Sequence, residues 1–276
     1  MRRLFAATAL ALSAVVAMPP TSIADAAPTV EPAGAQAFAN GPAKAFLLAD
    51  MDTGQVLASK DPYGSYAPAS TIKVLLAMVV LDNLRPDNFA RANQSHTKVE
   101  CSCVGLKPGQ PYTTAQLLSA LLMVSGNDAA NMLADMLGGQ RAAVAAMNRK
   151  ALSVGARGTR ASSPSGLDGP GWESITTPHD LAVMFRAALT YPLIAQIMRQ
   201  ASAPFPGKTL TNQNELLSRY PGDLGGKTGY TDLAGKTYVG AAQRGNRRLV
   251  VVQMRGSGDL YGQAINLLDW GFSQTT

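Results

Sequence analysis

Hydrophobic positions divide the chain into stretches with two different periods. Residues 43–61, "AKAFLLADMDTGQVLASKD", contain two apolar runs on either side of the Asp-Thr-Gly turn at residues 52–54. Apolar, β-rich runs around such turn residues predict a β-hairpin. Near the carboxyl terminus, "GKTYVGAAQRGNRRLVVVQMRGS" repeats the pattern around the Gly-Asn pair at residues 245–246. This second stretch predicts another pair of strands.

The middle of the chain follows a helical period instead. From Pro68 to about Arg199, segments such as "TTAQLLSALLMV", "DAANMLADML" and "TTPHDLAVMFRAAL" carry apolar residues at spacings of three and four. The final segment, "GDLYGQAINLLDWGF", reads as an amphipathic helix. Because strands come from both ends and helices from the middle, we predict an α/β fold of the α+β type. An antiparallel sheet would be built from both chain ends, with an inserted all-helical lobe at about residues 68–200.

The amino terminus has the layout of a secretory signal. Arg2 and Arg3 precede an apolar run at residues 4–18, and small residues follow at 24–26. We therefore expect residues 1–26 to be a signal peptide and residues 27–40, rich in Ala, Pro and Gly, to be a flexible linker. Residues 41–276 would form a single domain. No later stretch has the eighteen apolar residues that a membrane span needs, so we expect an exported, soluble protein in the periplasm, the cell wall or the medium.

Composition narrows the function classes only slightly. The formal net charge of +6 comes from scattered basic residues, and no nucleic-acid-binding motif accompanies it. The two histidines, His96 and His179, and the two cysteines offer few ligands for zinc, so no metal or other cofactor is expected. Cys101 and Cys103 could join in an oxidising compartment, but one intervening residue stretches the usual disulfide geometry. Both states of the pair stay open.

The first candidate chemistry lies at "ASTIKVLLAMVVL", residues 69–81. In a helix, residues three apart share one face, so the amine of Lys73 can reach the hydroxyl of Ser70. A lysine kept neutral by burial can take the proton of a serine nucleophile. The alternative is a serine cap beside a solvated lysine, and the same spacing recurs at Ser95 and Lys98. That second copy has no apolar helix after it, so Ser70 is the better candidate.

Two further short motifs contain polar residues suited to a cleft. In "MVSGNDAAN", Ser125 and Asn127 lie between two helical patterns, where they would relay protons and grip a carbonyl. An ordinary helix junction is the alternative. In "LGGKTGYT", Lys227 and Thr228 suit a carboxylate, and Gly229 would let a ligand lie against a strand edge. A basic residue that protects an edge strand is the alternative there.

Together, Ser-x-x-Lys, Ser-x-Asn and Lys-Thr-Gly in this order form the constellation of the penicillin-binding proteins and class A β-lactamases. With "YAPASTIKVLLA", "VSGNDAAN", "SSPSGLDGPGW", "GGKTGYT" and "NLLDWGF", the sequence resembles the low-molecular-weight penicillin-binding proteins, the D-alanyl-D-alanine carboxypeptidases, over roughly residues 40–272. The resemblance implies a β-lactamase/transpeptidase-like fold for the catalytic domain. It also implies that the substrate is a peptidoglycan stem peptide ending in D-Ala-D-Ala and that β-lactams inhibit covalently.

The resemblance also implies a role for each motif residue. Ser70 would attack the carbonyl between the two D-alanines and Lys73 would take its proton. The backbone N–H groups of Ser70 and Tyr230 would form the oxyanion hole. Ser125 would help protonate the departing D-alanine. The expected substrate-binding residues are Asn127, which would hold the acyl side chain and Lys73, and Lys227, Thr228 and Gly229, of which Lys227 and Thr228 would meet the terminal carboxylate.

Two other functions remain as alternatives: a class A-like β-lactamase, and a covalent β-lactam receptor without turnover. Class A enzymes use a Glu-x-x-x-Asn element, but Thr177 and Arg219 stand four residues after Glu173 and Glu215, the only glutamates between Asn127 and Lys227. We therefore expect a stable penicillin adduct. A receptor would need membrane spans or an output domain. Only six residues follow Trp270, so we expect no firm membrane anchor.

Overall fold

The computed structural model describes residues 41–274. The expected signal peptide, residues 1–26, and the expected linker, residues 27–40, lie outside the described residues. In chain order the elements are β1 (Ala43–Asp50), β2 (Val56–Lys60), a 3-10 helix (Ala69–Ile72), α1 (Lys73–Asn83), β3 (Phe89–Arg91), α2 (Gln94–Thr97), β4 (Pro111–Thr113), α3 (Thr114–Met123), α4 (Asn127–Met136), α5 (Gln140–Ser153), α6 (Pro178–Ala188), α7 (Pro192–Arg199), β5 (Ser202–Phe205), β6 (Lys208–Thr211), α8 (Leu216–Arg219), β7 (Asp223–Thr231), β8 (Gly235–Arg244), β9 (Arg247–Gly256) and α9 (Leu260–Ser273).

A five-stranded antiparallel sheet combines the two ends of the chain, as the hydrophobic pattern predicts. Its strand order is β2-β1-β9-β8-β7, and the amino-terminal strand β1 pairs with the carboxyl-terminal strand β9, with Leu47 opposite Val252. Strands β1 and β2 form the predicted hairpin. Strands β8 and β9 form the second pair. Strand β7 is at the edge, with β8 as its only neighbour among the described strands.

The sheet lies between two layers of helices, because alternate side chains of each strand point to opposite faces. Leu47 of β1 belongs to the core that the sheet shares with α1, α3 and α6. Its neighbour Leu48 belongs to a second core under α9, together with Leu267 and Leu268. Both faces of the sheet are therefore covered, and the larger layer is the helical lobe.

Helix α1 is the centre of the lobe. Residues 73–80 are all at most 2% exposed, and a helix that is apolar on every side is a buried one. Two neighbouring helices begin with side-chain caps. Thr113 accepts a hydrogen bond from the backbone of Gln116 and forms a capping box, and Thr177 caps α6 with Pro178 in its first turn.

The lobe differs from the prediction in that it is not all-helical. Strands β3 and β4 pair within it, and a separate hairpin of β5 and β6 follows the lobe before the main sheet resumes. Strands of three or four residues contain too few positions for an alternating pattern, so their pairing depends on tertiary contacts. Within residues 41–274 no single helix has the length and hydrophobicity to cross a membrane, although α6 and α7 pass that test jointly across a bend of 104°.

Leu76 in α1 tests how far the fold depends on this buried helix. It is 0% exposed in the core, so Leu76→Ala removes packing and leaves a cavity. We expect the free energy of unfolding to fall by about 2–5 kcal/mol, measured by urea denaturation. Leu152→Ala is the matched control, because Leu152 is 61% exposed. Equal losses in the two variants would contradict a central role for α1.

Candidate active site

Ser70 and Lys73 lie where the chain enters the buried helix. Ser70 is in the 3-10 helix that leads into α1, and Lys73 is the first residue of α1. Lys73 Nζ is 2.6 Å from Ser70 Oγ. The lysine is 0% exposed, whereas the serine is half-buried. The predicted pair is therefore in contact, with the hydroxyl on the open side and the amine on the closed side.

Two more oxygen atoms surround the amine of Lys73. Its Nζ donates to Asn127 Oδ1 at 2.7 Å and to the carbonyl oxygen of Ser165 at 2.8 Å. Both are acceptors only, while the Ser70 hydroxyl can also donate. A neutral amine has two N–H donors and one lone pair. The three partners satisfy a neutral Lys73 when its lone pair accepts the Ser70 O–H, and they equally accept the three protons of an ammonium, so the contacts allow both forms.

The electrostatics favour the neutral form of Lys73. Burial holds the pKa of Lys73 well below its ordinary value, and the positive charge of Lys227 lowers it further. An ammonium taken out of water loses hydration, and a second cation nearby repels it. A neutral amine beside a hydroxyl can accept a proton, as a general base must.

Ser125 and Lys227 form a second pair across the cleft. Lys227 Nζ donates to Ser125 Oγ at 3.0 Å and to the carbonyl oxygen of Thr228 at 2.7 Å. Ser125 lies between α3 and α4 with a φ of 60°, a left-handed conformation that is uncommon for residues other than glycine. Burial lowers the pKa of Lys227 to about 7, so a bound anion would readily favour its charged form.

Gly229 brings strand β7 against the backbone of Ser70. A Cβ at position 229 would lie 2.8 Å from the backbone nitrogen of Ser70 and 2.5 Å from Thr237 Oγ1. Only a glycine allows this approach. Gly166 does the same from the other side, since a Cβ there would lie 1.9 Å from the carbonyl oxygen of Ala69 and its φ is 83°.

The predicted residues line one cleft of about 330 Å³. Its walls come from the start of the buried helix, the α3–α4 junction, the 100–102 and 166–167 segments and strand β7. The lining residues are Ser70, Glu100, Cys101, Ser102, Ser125, Asn127, Gly166, Leu167, Gln213, Thr228, Gly229, Tyr230 and Thr231. The buried side chains of Lys73 and Lys227 reach this cleft through their contacts with Ser70 and Ser125. The structure thus brings all the sequence-predicted site residues together.

The sequence analysis gave no role to several residues of the site, although they lie in the family-like stretch "SSPSGLDGPGW", residues 162–172. Ser165 contributes a backbone carbonyl, which any residue type would provide. Asp168 accepts a hydrogen bond from Thr231 Oγ1 at 2.7 Å and so ties the 166–168 segment to the end of β7. The glycine at position 166 was the clue that the sequence offered, because glycine often occupies backbone conformations that other residues avoid. Its φ of 83° in the structure is of this kind.

The other candidates have different contacts. Ser95 donates to Asn93 Oδ1, and Lys98 is exposed. The second Ser-x-x-Lys copy therefore does not pair a serine hydroxyl with a buried lysine amine. His96 lies 3.2 Å from Asp135 and His179 lies 3.2 Å from Asp180. Among the described residues, no group of three His, Cys, Asp or Glu side chains is placed to hold a metal ion.

The cysteine pair, left open by the sequence, is joined in the structure. Cys101 and Cys103 form a disulfide with their Cα atoms 4.7 Å apart. Glu173 and Glu215, which were tested for the Glu-x-x-x-Asn element of class A β-lactamases, do not line this cleft. They line two other cavities. Glu100 is the one acidic residue in the described lining of the cleft.

Comparison with known proteins agrees with this geometry. The family model described as D-alanyl-D-alanine carboxypeptidase matches residues 32–258. D-alanyl-D-alanine carboxypeptidase DacB2 of Mycobacterium tuberculosis is 54% identical over 253 residues, which cover 88% of this chain and 87% of that protein. DacF of Bacillus subtilis, also a D-alanyl-D-alanine carboxypeptidase, is 30% identical over 84% of this chain and 62% of its own length.

Solved structures show the same fold. A crystal structure of a D-alanyl-D-alanine carboxypeptidase from Mycobacterium tuberculosis has a TM-score of 0.86 and 53% identity, over 89% of this chain and 97% of that one. A mutant of the Streptomyces K15 DD-transpeptidase has a TM-score of 0.80 and 26% identity, over 85% and 99% of the two chains. The fold and the site thus define a serine peptidase of the penicillin-binding class. Within that class, the chain belongs to the D-alanyl-D-alanine carboxypeptidase family.

Gly229→Ala tests the close approach of β7 to Ser70. The added methyl group would lie too near the Ser70 backbone nitrogen and push the strand away. We expect the rate of covalent capture of a fluorescent penicillin to fall by about 100-fold, the effect of a misplacement of roughly 1 Å. The melting temperature, measured in parallel, separates this local effect from unfolding. Capture at the wild-type rate would show that the contact has no role in the site.

Proposed function

We propose that the protein is a serine D-Ala-D-Ala carboxypeptidase that removes the terminal D-alanine from peptidoglycan stem pentapeptides. One observation carries the residue assignment: the buried amine of Lys73 is 2.6 Å from Ser70 Oγ and has acceptors for both of its remaining protons. Such a pair supplies a nucleophile and its base without a histidine or a metal ion.

In the first step Ser70 Oγ attacks the carbonyl carbon of the penultimate D-alanine while Lys73 Nζ takes the hydroxyl proton. The carbonyl oxygen becomes an oxyanion, which the backbone N–H groups of Ser70 and Tyr230 would stabilise. One donor of this kind lowers the barrier by about 3–4 kcal/mol. The contact of Gly229 with the Ser70 backbone keeps the strand that carries Tyr230 close to the nucleophile.

The substrate would lie along the free edge of β7. A peptide that adds to a sheet edge gains backbone hydrogen bonds. A substrate bound along β7 in this way would have its terminal carboxylate near Lys227 and Thr228. Charged Lys227 would pair with that carboxylate. As the C–N bond breaks, Ser125, which accepts a hydrogen bond from Lys227, would pass its hydroxyl proton to the nitrogen of the departing D-alanine and take in exchange the proton that Lys73 accepted from Ser70. Asn127 would hold the acyl side chain through its amide.

The second step adds water to the acyl-enzyme, so that the ester bond to Ser70 breaks and the shortened peptide leaves. β-Lactams would enter the same first step and form an ester on Ser70. Without the Glu-x-x-x-Asn element, water activation on a penicilloyl group would be slow. The proposed partners are therefore the stem peptide and, as covalent inhibitors, β-lactams. Since the substrate is cell-wall peptide, we propose an exported location.

The decisive experiment incubates residues 27–276 separately with penicillin and with a peptide ending in D-Ala-D-Ala. We expect a penicilloyl adduct on Ser70 that persists for hours by mass spectrometry, and D-alanine release from the peptide in a coupled assay. Ser70→Ala should show neither. An adduct without D-alanine release would favour a covalent receptor instead. Rapid loss of the adduct with hydrolysed penicillin would favour a β-lactamase.

The pH dependence of acylation tests the assignment of Lys73. Because acylation needs the neutral amine, its rate should rise with pH through the pKa of Lys73 and level off well below the ordinary lysine pKa of about 10.4. The direction follows from burial, which lowers that pKa. Stopped-flow acylation by a fluorescent penicillin across pH 5–10 measures it.

Two variants distinguish a base from a mere hydrogen-bond donor. Lys73→Arg keeps a charge that does not titrate, and Lys73→Gln keeps polar hydrogen bonds without basicity. Both should lose about 100- to 10,000-fold in acylation rate, the range for a general base, with no recovery at high pH. A lysine-independent rate, or a profile that rises up to pH 10, would contradict the assignment.

A further inference from the structure

The segment of residues 98–103, between α2 and β4, holds Asn127 at two points. The Asn127 side-chain Nδ2 donates to the carbonyl oxygen of Glu100 at 2.7 Å, and its backbone N–H donates to the carbonyl oxygen of Ser102 at 2.6 Å. The same residue presents Oδ1 to Lys73. Two carbonyls of one short segment thus determine where the Asn127 amide lies and how it is turned.

The orientation of this amide matters for Lys73. An asparagine amide has an acceptor end and a donor end. The Glu100 carbonyl accepts from the donor end, so the acceptor end faces Lys73 Nζ. If the amide turned over, two N–H donors would face the lysine, and one proton of the neutral amine would lose its partner.

The segment itself has little else to hold it in place. Residues 98–103 have no helix or strand, and Cys101 and Ser102 are exposed. On the carboxyl-terminal side, the backbone N–H groups of Val104, Gly105 and Leu106 donate to the Asp128 carboxylate. That anchor ends just after Cys103. The Ser102 side chain donates a 3.3 Å hydrogen bond to the Val124 carbonyl.

We propose that the Cys101–Cys103 disulfide is a positioning element for Asn127. It links the residue after the Glu100 carbonyl to the residue after the Ser102 carbonyl, and so fixes the two acceptors relative to each other. Cys103 is next to the anchored Val104, so the link extends the Asp128 anchor to Glu100. The inference rests on the proposed function, because it acts through Asn127 on the base Lys73.

Reduction provides a direct way to open this link. A dithiol such as dithiothreitol supplies two electrons and two protons, becomes a cyclic disulfide and leaves both cysteines as thiols. The chain contains two cysteines in total, so the reagent has one target. Cys101 is exposed, so reduction does not require unfolding.

The experiment compares acylation by a fluorescent penicillin in four proteins: oxidised wild type, dithiothreitol-reduced wild type, the double variant C101S/C103S and the matched control Lys98→Ser. Lys98 is an exposed residue of the same segment. We expect the reduced protein and C101S/C103S to lose about 10- to 100-fold in the limiting acylation rate, with much smaller changes in half-saturation. Re-oxidation should restore the reduced protein, and dithiothreitol should not affect C101S/C103S.

A double-mutant cycle decides whether the effect passes through Asn127. If it does, adding C101S/C103S to Asn127→Ala should slow acylation by less than twofold, because the residue to be positioned is already gone. An equal loss in both backgrounds would overturn the proposal. So would wild-type rates in the reduced protein. Failure of the oxidised wild type to acylate at all would instead overturn the proposed function, and melting temperatures identify a variant that fails to fold.

Discussion

A lysine amine that is buried without a carboxylate partner is the constraint on which the site depends. Lys73 is 0% exposed, and its hydrogen-bond partners are a hydroxyl, an amide oxygen and a backbone carbonyl. Two of them are 54 and 92 residues away in sequence. A charged ammonium there would be costly. The α3–α4 junction and the 163–167 segment must therefore both pack against α1 for the neutral amine to have its partners.

The second lysine makes this arrangement responsive to a ligand. Lys73 comes from the helical lobe and Lys227 from the edge strand of the sheet, so the two amino groups lie on opposite sides of the cleft. The charge of Lys227 makes the charged form of Lys73 less favourable, while burial alone lowers the pKa of Lys227. An anion bound near Lys227 would favour its ammonium form, while Lys73 keeps its three oxygen partners. The two buried lysines thus have different surroundings, which would suit one to act as the base and the other to receive a carboxylate in the proposed reaction.

The sequence predicted the features that depend on side-chain type. Apolar, β-rich runs identified β1, β2, β8 and β9. Each of the three motifs alone had an ordinary alternative, but their combination and order identified Ser70, Lys73, Ser125, Asn127 and Lys227 as candidates through the resemblance to the penicillin-binding proteins. It did not predict features made by the backbone. The Ser165 carbonyl, the pairing of β3 with β4 and the contact of Glu100 with Asn127 have no residue-type signature, since each depends on tertiary packing.

Two residues near the cleft have strained backbone conformations that the surrounding packing holds in place. Ala69 and Ser125 have φ values of 48° and 60°, each a conformation that costs on the order of 1–3 kcal/mol for a residue with a side chain. Both are buried, with Ala69 at 0% and Ser125 at 5% exposure. Ala69 is confined between Gly166 and Gly229, which lie so close that neither position accepts a Cβ. Such strain persists only where the surrounding structure imposes it, and here Gly166 and Gly229 pack directly against Ala69 and the Ser70 backbone. The surrounding core therefore holds the nucleophile in a position that the local backbone would not adopt by itself.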